Sequence, residues 1–200
     1  MAGFQDIVNI QQSMTVQNRR IVGQQVSRAG YVTVSQYLNA VPWVFTIIPH
    51  SFLYYPQVRN IIQAIDNLDR QLPDNIQFNT SQLSWFTAMQ GTATIASLNG
   101  TPTPNSQTIA LTSNGTFKAG DFISIGGYVY KITADSTGSS VNINRPLIGA
   151  PTETAPVLLG NNVVFNVVAE QCPTYKLNPM THGAFVEWSG PFVFREYITG

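Results

Sequence analysis

Residues 117–135 read Phe-Lys-Ala-Gly-Asp-Phe-Ile-Ser-Ile-Gly-Gly-Tyr-Val-Tyr-Lys-Ile-Thr-Ala-Asp, two short runs of strand-forming residues separated by a glycine pair. Phe122 to Ile125 reads as one strand and Tyr128 to Thr133 as the next. Gly126-Gly127 joins them, because the primed turns that close two-residue hairpins need positive φ and glycine adopts it without steric cost. No helix signal follows the glycines, so they are not a phosphate-cradling loop. Tyr128 and Tyr130 lie two apart and share one face of their strand. Asp121, after Gly120 and directly before a strand, is placed to cap a turn through its own backbone.

Working outward, Thr108 to Thr112 and Val141 to Arg145 read as further short strands, the latter ended by Pro146. The lead from Gly91 to Ser106 is rich in Thr, Asn, Pro and Gly, and Thr101-Pro102-Thr103-Pro104 reads as an extended loop. Residues 92–162 are therefore expected to form a small antiparallel β-barrel or sandwich, inserted into a host domain made of 1–91 plus 163–200.

The host segments are strand-rich. Residues 31–38 alternate, with Tyr31, Thr33, Ser35 and Tyr37 on one face and Val32, Val34, Gln36 and Leu38 on the other. Trp43 to Ile48 is bracketed by Pro42 and Pro49, at strand ends where a missing N–H is tolerated. Val163–Val168, Phe185–Trp188 and Phe192–Tyr197 return to strand character. One segment departs from this. From Pro56 to Leu72, Val58, Ile61, Ile62, Ile65, Leu68 and Leu72 recur at three- and four-residue spacing, which predicts an amphipathic helix over 56–72 lying on a sheet. Pro56 suits its first turn, Pro73 ends it, and Asp66 and Arg70 stand four apart in the favourable order. The fold class expected is mostly β (α+β) with one helix.

Charged residues make up 10% of the chain, against roughly 25% in ordinary domains. Gln, Asn, Ser and Thr take their place. Burying an unpaired charge is costly whereas an amide can be satisfied across an interface, so this surface suits a subunit covered by other subunits. It would also suit sugar. The net charge is zero, which argues against nucleic acid as a partner, since phosphate contacts call for a basic stripe. Arg19, Arg20 and Arg28 are the only local basic excess, and read as solvated or interface residues. Cys172 is the single cysteine, so no intramolecular disulfide forms, and it reads as a small buried hydrophobe. The start, MAGFQDIVNI, lacks the pattern of a signal peptide. No run approaches the roughly twenty apolar residues of a membrane helix. Folding in a cytoplasm is the expectation.

Reactive constellations are sparse. His50 and His182 stand far apart, with no second ligand at metal-site spacing. No nucleophile elbow or Walker loop is present. A glycosidase would need two facing carboxylates from among Asp66, Asp69, Asp121, Asp135, Glu170, Glu187 and Glu196. Asn99-Gly100-Thr101 and Asn114-Gly115-Thr116 match a glycosylation pattern, as does Asn79-Thr80-Ser81, but Asn-Gly reads better as a turn. The expectation is a non-enzyme with no catalytic, cofactor-binding or metal-binding residues and no cofactor.

The segment 117–135 resembles a pattern of bacteriophage distal-tail and baseplate proteins, in which a K-A-G-D-aromatic-I strand is followed by a glycine turn and V-x-K-I/V-T-A-D. Arg145-Pro146-Leu147 and Ala150-Pro151 match the strand end that follows there. The close match spans about 35 residues, and the order of elements agrees over the rest. The resemblance implies a structural subunit with a tail-tube-like β-sandwich and an inserted small β-barrel. Its partners would be copies of itself in a ring, six being the expected number, and neighbouring tube or baseplate proteins. The ring would join the tail tube to the host-recognition apparatus, in a virion assembled in the host cytoplasm. The rival reading is a carbohydrate-binding adhesin module displaying Tyr128 and Tyr130 to a glycan. Burial of both tyrosines would favour the scaffold.

Overall fold

A computed structural model of the chain describes residues 3–18, 22–26, 28, 30–36, 41–66 and 72–199, the side chains of 22–26, 32–36 and 64 apart. In chain order its elements are α1 (Gly3–Asn9), β1 (Gln11–Gln17), β2 (Val22–Val26), β3 (Val32–Gln36), β4 (Val44–Pro49), β5 (Leu53–Tyr54), α2 (Tyr55–Asp66) and β6 (Asp74–Gln77). There follow β7 (Ala96–Leu98), β8 (Thr108–Ser113), β9 (Phe122–Ile125), β10 (Tyr128–Lys131), β11 (Ser140–Asn142) and β12 (Pro156–Leu159). The last strands are β13 (Val164–Gln171), β14 (Tyr175–Met180), β15 (Gly183–Trp188) and β16 (Phe192–Glu196). The fold is mostly β, as the sequence indicates.

The chain divides into two compact units. One comprises Met1–Gln17, Pro42–Ile76 and Phe165–Gly200, and the other Asn18–Val41 and Gln77–Val164. The second unit thus takes in 18–41, 77–91 and 163–164 in addition to the 92–162 that the sequence set apart.

The first unit contains a five-stranded sheet in the order β1-β4-β16-β13-β6. Alternation puts Phe45, Ile47, Phe165, Val167, Phe192 and Phe194 on its buried face. Helix α1 covers that face, with Phe4, Ile7 and Val8 all fully buried and the Phe4 ring stacked on Phe194 at 4.8 Å. Each such side chain contributes about 1.5–3 kcal/mol by leaving water. This helix corrects the expectation of a single helix in the chain, over 56–72. Its three apolar residues hold the i, i+3, i+4 spacing of a helix for only two turns, too short to stand out from strand alternation.

The second sheet of this unit is β14-β15-β5, and α2 packs on one face of it. Val58 and Ile62 meet Val186, flanked by Leu53, Tyr175 and Trp188. The amphipathic stripe expected from the spacing is core. Its far end differs from expectation: Leu72 is exposed and outside any helix. The residue before a proline is disfavoured in the α region, and Pro73 follows it. Leu68, Asp69 and Arg70 lie outside the described residues, as do Arg19, Arg20, Tyr37 and Leu38.

The second unit holds a six-stranded sheet in the order β10-β9-β12-β7-β8-β11. Its two ends meet. Ile132 bridges Ile143, while Thr133 donates to the Asn142 carbonyl and Asn144 to the Lys131 carbonyl, both at 2.9 Å. The sheet thus curls into a small barrel whose ends are joined by this bridge. Leu98, Ile109, Leu111, Ile123, Ile125, Tyr130, Ile132, Val141 and Ile143 fill it. Strands β7 and β12 complete the circle: β7 falls in the polar lead from Gly91 to Ser106, and β12 in a stretch where the sequence suggests no element. A hairpin, β2 with β3, belongs to this unit as well.

The Gly126-Gly127 hairpin is as the sequence requires. Ile125 pairs with Tyr128, and the glycines sit at φ +60° and +86°. Gly127→Val is expected to cost about 1–2 kcal/mol, the steric penalty of a side chain in the left-handed region. A urea midpoint unchanged from the parent would contradict that.

Candidate functional site

The residues that carry the tail-protein resemblance converge in one network. Asp121, 1% exposed, accepts three backbone N–H bonds through its carboxylate. Oδ1 takes Gln90 N at 2.7 Å, and Oδ2 takes Gly91 N at 3.1 Å and Lys118 N at 2.8 Å. The bond to Lys118 is the local turn cap that the sequence suggests. The other two come from thirty residues upstream, so the same side chain also pins the approach to the barrel. Asp135 finishes the motif: its Oδ2 lies 2.6 Å from Lys118 Nζ and its Oδ1 accepts Ala119 N at 2.9 Å.

The hydrogen bond from Lys118, with that from Ala119 N–H behind it, holds the Asp135 carboxyl below its ordinary pKa. The same bond raises Lys118 above the ordinary lysine value. Because the folded Asp135 pKa is depressed, its stabilisation is complete above the ordinary carboxylate range and is lost as pH falls through the lowered value. Lys118 behaves oppositely, contributing fully below the ordinary lysine range and losing that contribution as pH rises through its raised pKa. In a carbon-detected NMR titration, Lys118→Met is expected to move the Asp135 midpoint upward. Identical midpoints would remove the pair as the cause.

Arg145, from the matched Arg-Pro-Leu run, is fully buried. Its Nη1 and Nη2 donate to the carbonyls of Val41 and Val129, each at 2.7 Å. The guanidinium lies 5.1 Å from the centre of the Tyr130 ring, a favourable placement of a cation on a π face. Tyr130 is itself fully buried, with its hydroxyl accepting Ile148 N at 2.9 Å, and Tyr128 packs against the same core. Tyr130 is barrel core, and Tyr128 is half-buried against it.

The acids considered for catalysis are engaged elsewhere. Glu170 binds Arg195 through both carboxylate oxygens, at 3.2 and 2.9 Å. Glu196 is buried and accepts Trp43 N at 3.1 Å. Asp66 accepts the Tyr175 hydroxyl at 3.3 Å; burial, and then the Asp66 charge, raise that phenol's pKa. Glu187 accepts Asn178 Nδ2 at 3.0 Å. Asp69 lies outside the described residues. His50 and His182 are exposed, and Cys172 is half-buried. Among the described residues no cluster of three His, Cys, Asp or Glu side chains could hold a metal ion, and no helix is long and apolar enough to cross a membrane.

Two features escape a reading of the sequence. Strand β1, Gln-Gln-Ser-Met-Thr-Val-Gln, is an edge of the five-stranded sheet and carries neither charge nor proline. Edges that must stay single are normally blunted by lysine, proline or shortness. The other feature is a trough of two adjoining hollows, of about 220 and 270 Å³, that share Ser51 and Glu187: the first lies against Phe52, Phe185 and Asn178 on the face of the three-stranded sheet opposite α2, and the second reaches past Trp188 to Gln12, Ile48 and Pro191. Alternation in Phe185-Val186-Glu187 is its one readable signal, since it sets Phe185 and Glu187 on the side away from Val186.

Comparison with known proteins finds no family model that matches the chain and no curated protein similar to it.

Proposed function

We propose that the chain is a non-enzymatic structural subunit of a bacteriophage tail. It would assemble with copies of itself into a ring, six-membered by analogy, at the distal tail or baseplate, joining the tube to the host-recognition apparatus. The observation that carries this reading is the role of the matched residues. Lys118, Asp121, Asp135 and Arg145 each make the bonds that hold the barrel unit in shape, so the resemblance rests on residues that determine architecture rather than on chance composition. The β1 edge, free of charge and proline, and the amide-rich, charge-poor surface add support, because both suit a subunit that is covered on assembly. In this reading the first unit is the tail-tube-like domain and the barrel is the insertion. Closed rings need heterologous contacts that repeat around an axis.

The test pairs the solution mass of the purified chain with gold-labelled antibody on native particles. A ring-sized species, or label at the tail end, is the expected result. A solitary monomer absent from every virion would end the proposal.

A further inference from the structure

We infer that the trough on the open face of the three-stranded sheet is a binding site for a neutral glycan. The geometry starts from strand alternation. Leu53, Val186 and Trp188 turn toward α2, so Tyr54, Phe185 and Glu187 stand on the other face, where Phe185 lies between Asn178 and Tyr54 in the strand register. Phe52 comes from the turn before β5 and stands perpendicular to Phe185, ring centres 6.3 Å apart. Together they make a corner of two aromatic surfaces. Phe52 is 80% exposed, an apolar ring held in water beside a concavity.

Polar groups converge on the same hollow. Asn178 Nδ2 binds Glu187 Oε2 and so orients the carboxylate, whose Oε1 has no hydrogen-bond partner among the described residues. Ser51 supplies a hydroxyl at the junction of the two hollows. Backbone close approach helps hold the shape: Gly183 has no room for a side chain against the Tyr54 ring, and the Tyr54 hydroxyl donates to the His182 carbonyl at 2.6 Å.

Aromatic faces for C–H surfaces, with a carboxylate, an amide and a hydroxyl at the rim, match the two sides of a pyranose ring. The hollow that holds Phe52, Phe185 and Asn178 is about 220 Å³, room for one sugar ring rather than for a drug-sized ligand, whose pockets begin at about 300 Å³. Charge narrows the class. Among the described residues Glu187 is the only charged one lining either hollow, so it accepts sugar hydroxyls and repels uronates, sialylated chains and phosphorylated glycans. A protein partner is the less favoured occupant, because it would need a broad apolar surface, and among the described residues Phe52 and Ile48 are the only largely exposed apolar side chains lining the trough. The inference does not depend on the tail assignment.

The test uses the full chain on an array of neutral hexose and N-acetylhexosamine oligosaccharides, with uronate-bearing, sialylated and phosphorylated ones alongside. Titration and saturation-transfer NMR follow on any hit. Neutral oligosaccharides alone should bind, with magnetisation passing from the Phe52 ring. Phe52→Ala, a change at an exposed position, should weaken binding at least about tenfold, the loss of one central aromatic contact. Glu187→Gln should weaken it and relax the exclusion of acidic sugars. Trp85→Ala, which removes an exposed aromatic from the other unit, should leave it unchanged. No neutral glycan bound at millimolar concentration, equal binding by Phe52→Ala, or a change in oligomeric mass on Phe52→Ala without glycan binding would each overturn the proposal. The last outcome would mark a protein interface instead.

Discussion

Arg145→Met is expected to destabilise the barrel unit by about 3–5 kcal/mol, the range for removing one partner of a buried charged contact. The reason lies in what stays behind. Methionine fills much of the volume, but the carbonyls of Val41 and Val129 each lose a charged donor, and a hydrogen bond to a charged group is worth about 1.5–3 kcal/mol. The cation on the Tyr130 ring is lost too. Arg145→Lys should recover only part of this, since one ammonium cannot reproduce two parallel bonds from a planar fork. A local readout separates this from general loosening. Val41 also accepts Asn18 Nδ2 at 3.0 Å, and Asn18 Oδ1 accepts Asn144 Nδ2 at 2.6 Å. These bonds close the base of the excursion that carries β2 and β3, so amide exchange across Val22–Val26 and Val32–Gln36 should accelerate in Arg145→Met beyond the rise in the barrel strands. A variant as stable as the parent, with unaltered exchange, would show that the guanidinium is dispensable.

That burial also marks where sequence reading stops. The strands from Phe122 to Ile125 and from Tyr128 onward, with their glycine turn, were legible because local chemistry alone decides them: alternation chooses the strand, and positive φ chooses glycine. The helix on 55–66 was legible for a similar reason, its apolar spacing. What closed the barrel was not. The Ile132 to Ile143 bridge joins two short strands through tertiary pairing, and β7 and β12 are too brief to show a period. Strand β14 contains Pro179, which argues against a strand unless the strand is an edge, and the sheet order makes it one. Arg145 reads as a surface residue until the carbonyls it meets are known. The trough was half legible. Phe185 and Glu187 share a face by counting, but Phe52 and Asn178 reach them only through register.

Asp121→Ala is expected to cost at least about 4.5 kcal/mol, the low end for three backbone N–H groups that each lose a carboxylate acceptor worth about 1.5–3 kcal/mol per bond. Asp121→Asn discriminates the mechanism. An amide can turn its one oxygen toward Gly91 and Lys118 but then sets an N–H against that of Gln90, or the reverse, so at least one bond is replaced by a donor–donor contact. Its loss should be intermediate, about 2 kcal/mol. The two variants should also differ in where they loosen. Alanine frees both the Lys118 turn and the Gln90–Gly91 approach, so amide exchange should rise at all three residues, whereas asparagine should retain protection on one side. Equal, small losses in both variants would mean that the motif is held by the Lys118–Asp135 pair and the β9–β10 ladder. The Lys-Ala-Gly-Asp pattern would then lose the architectural meaning on which the tail assignment leans.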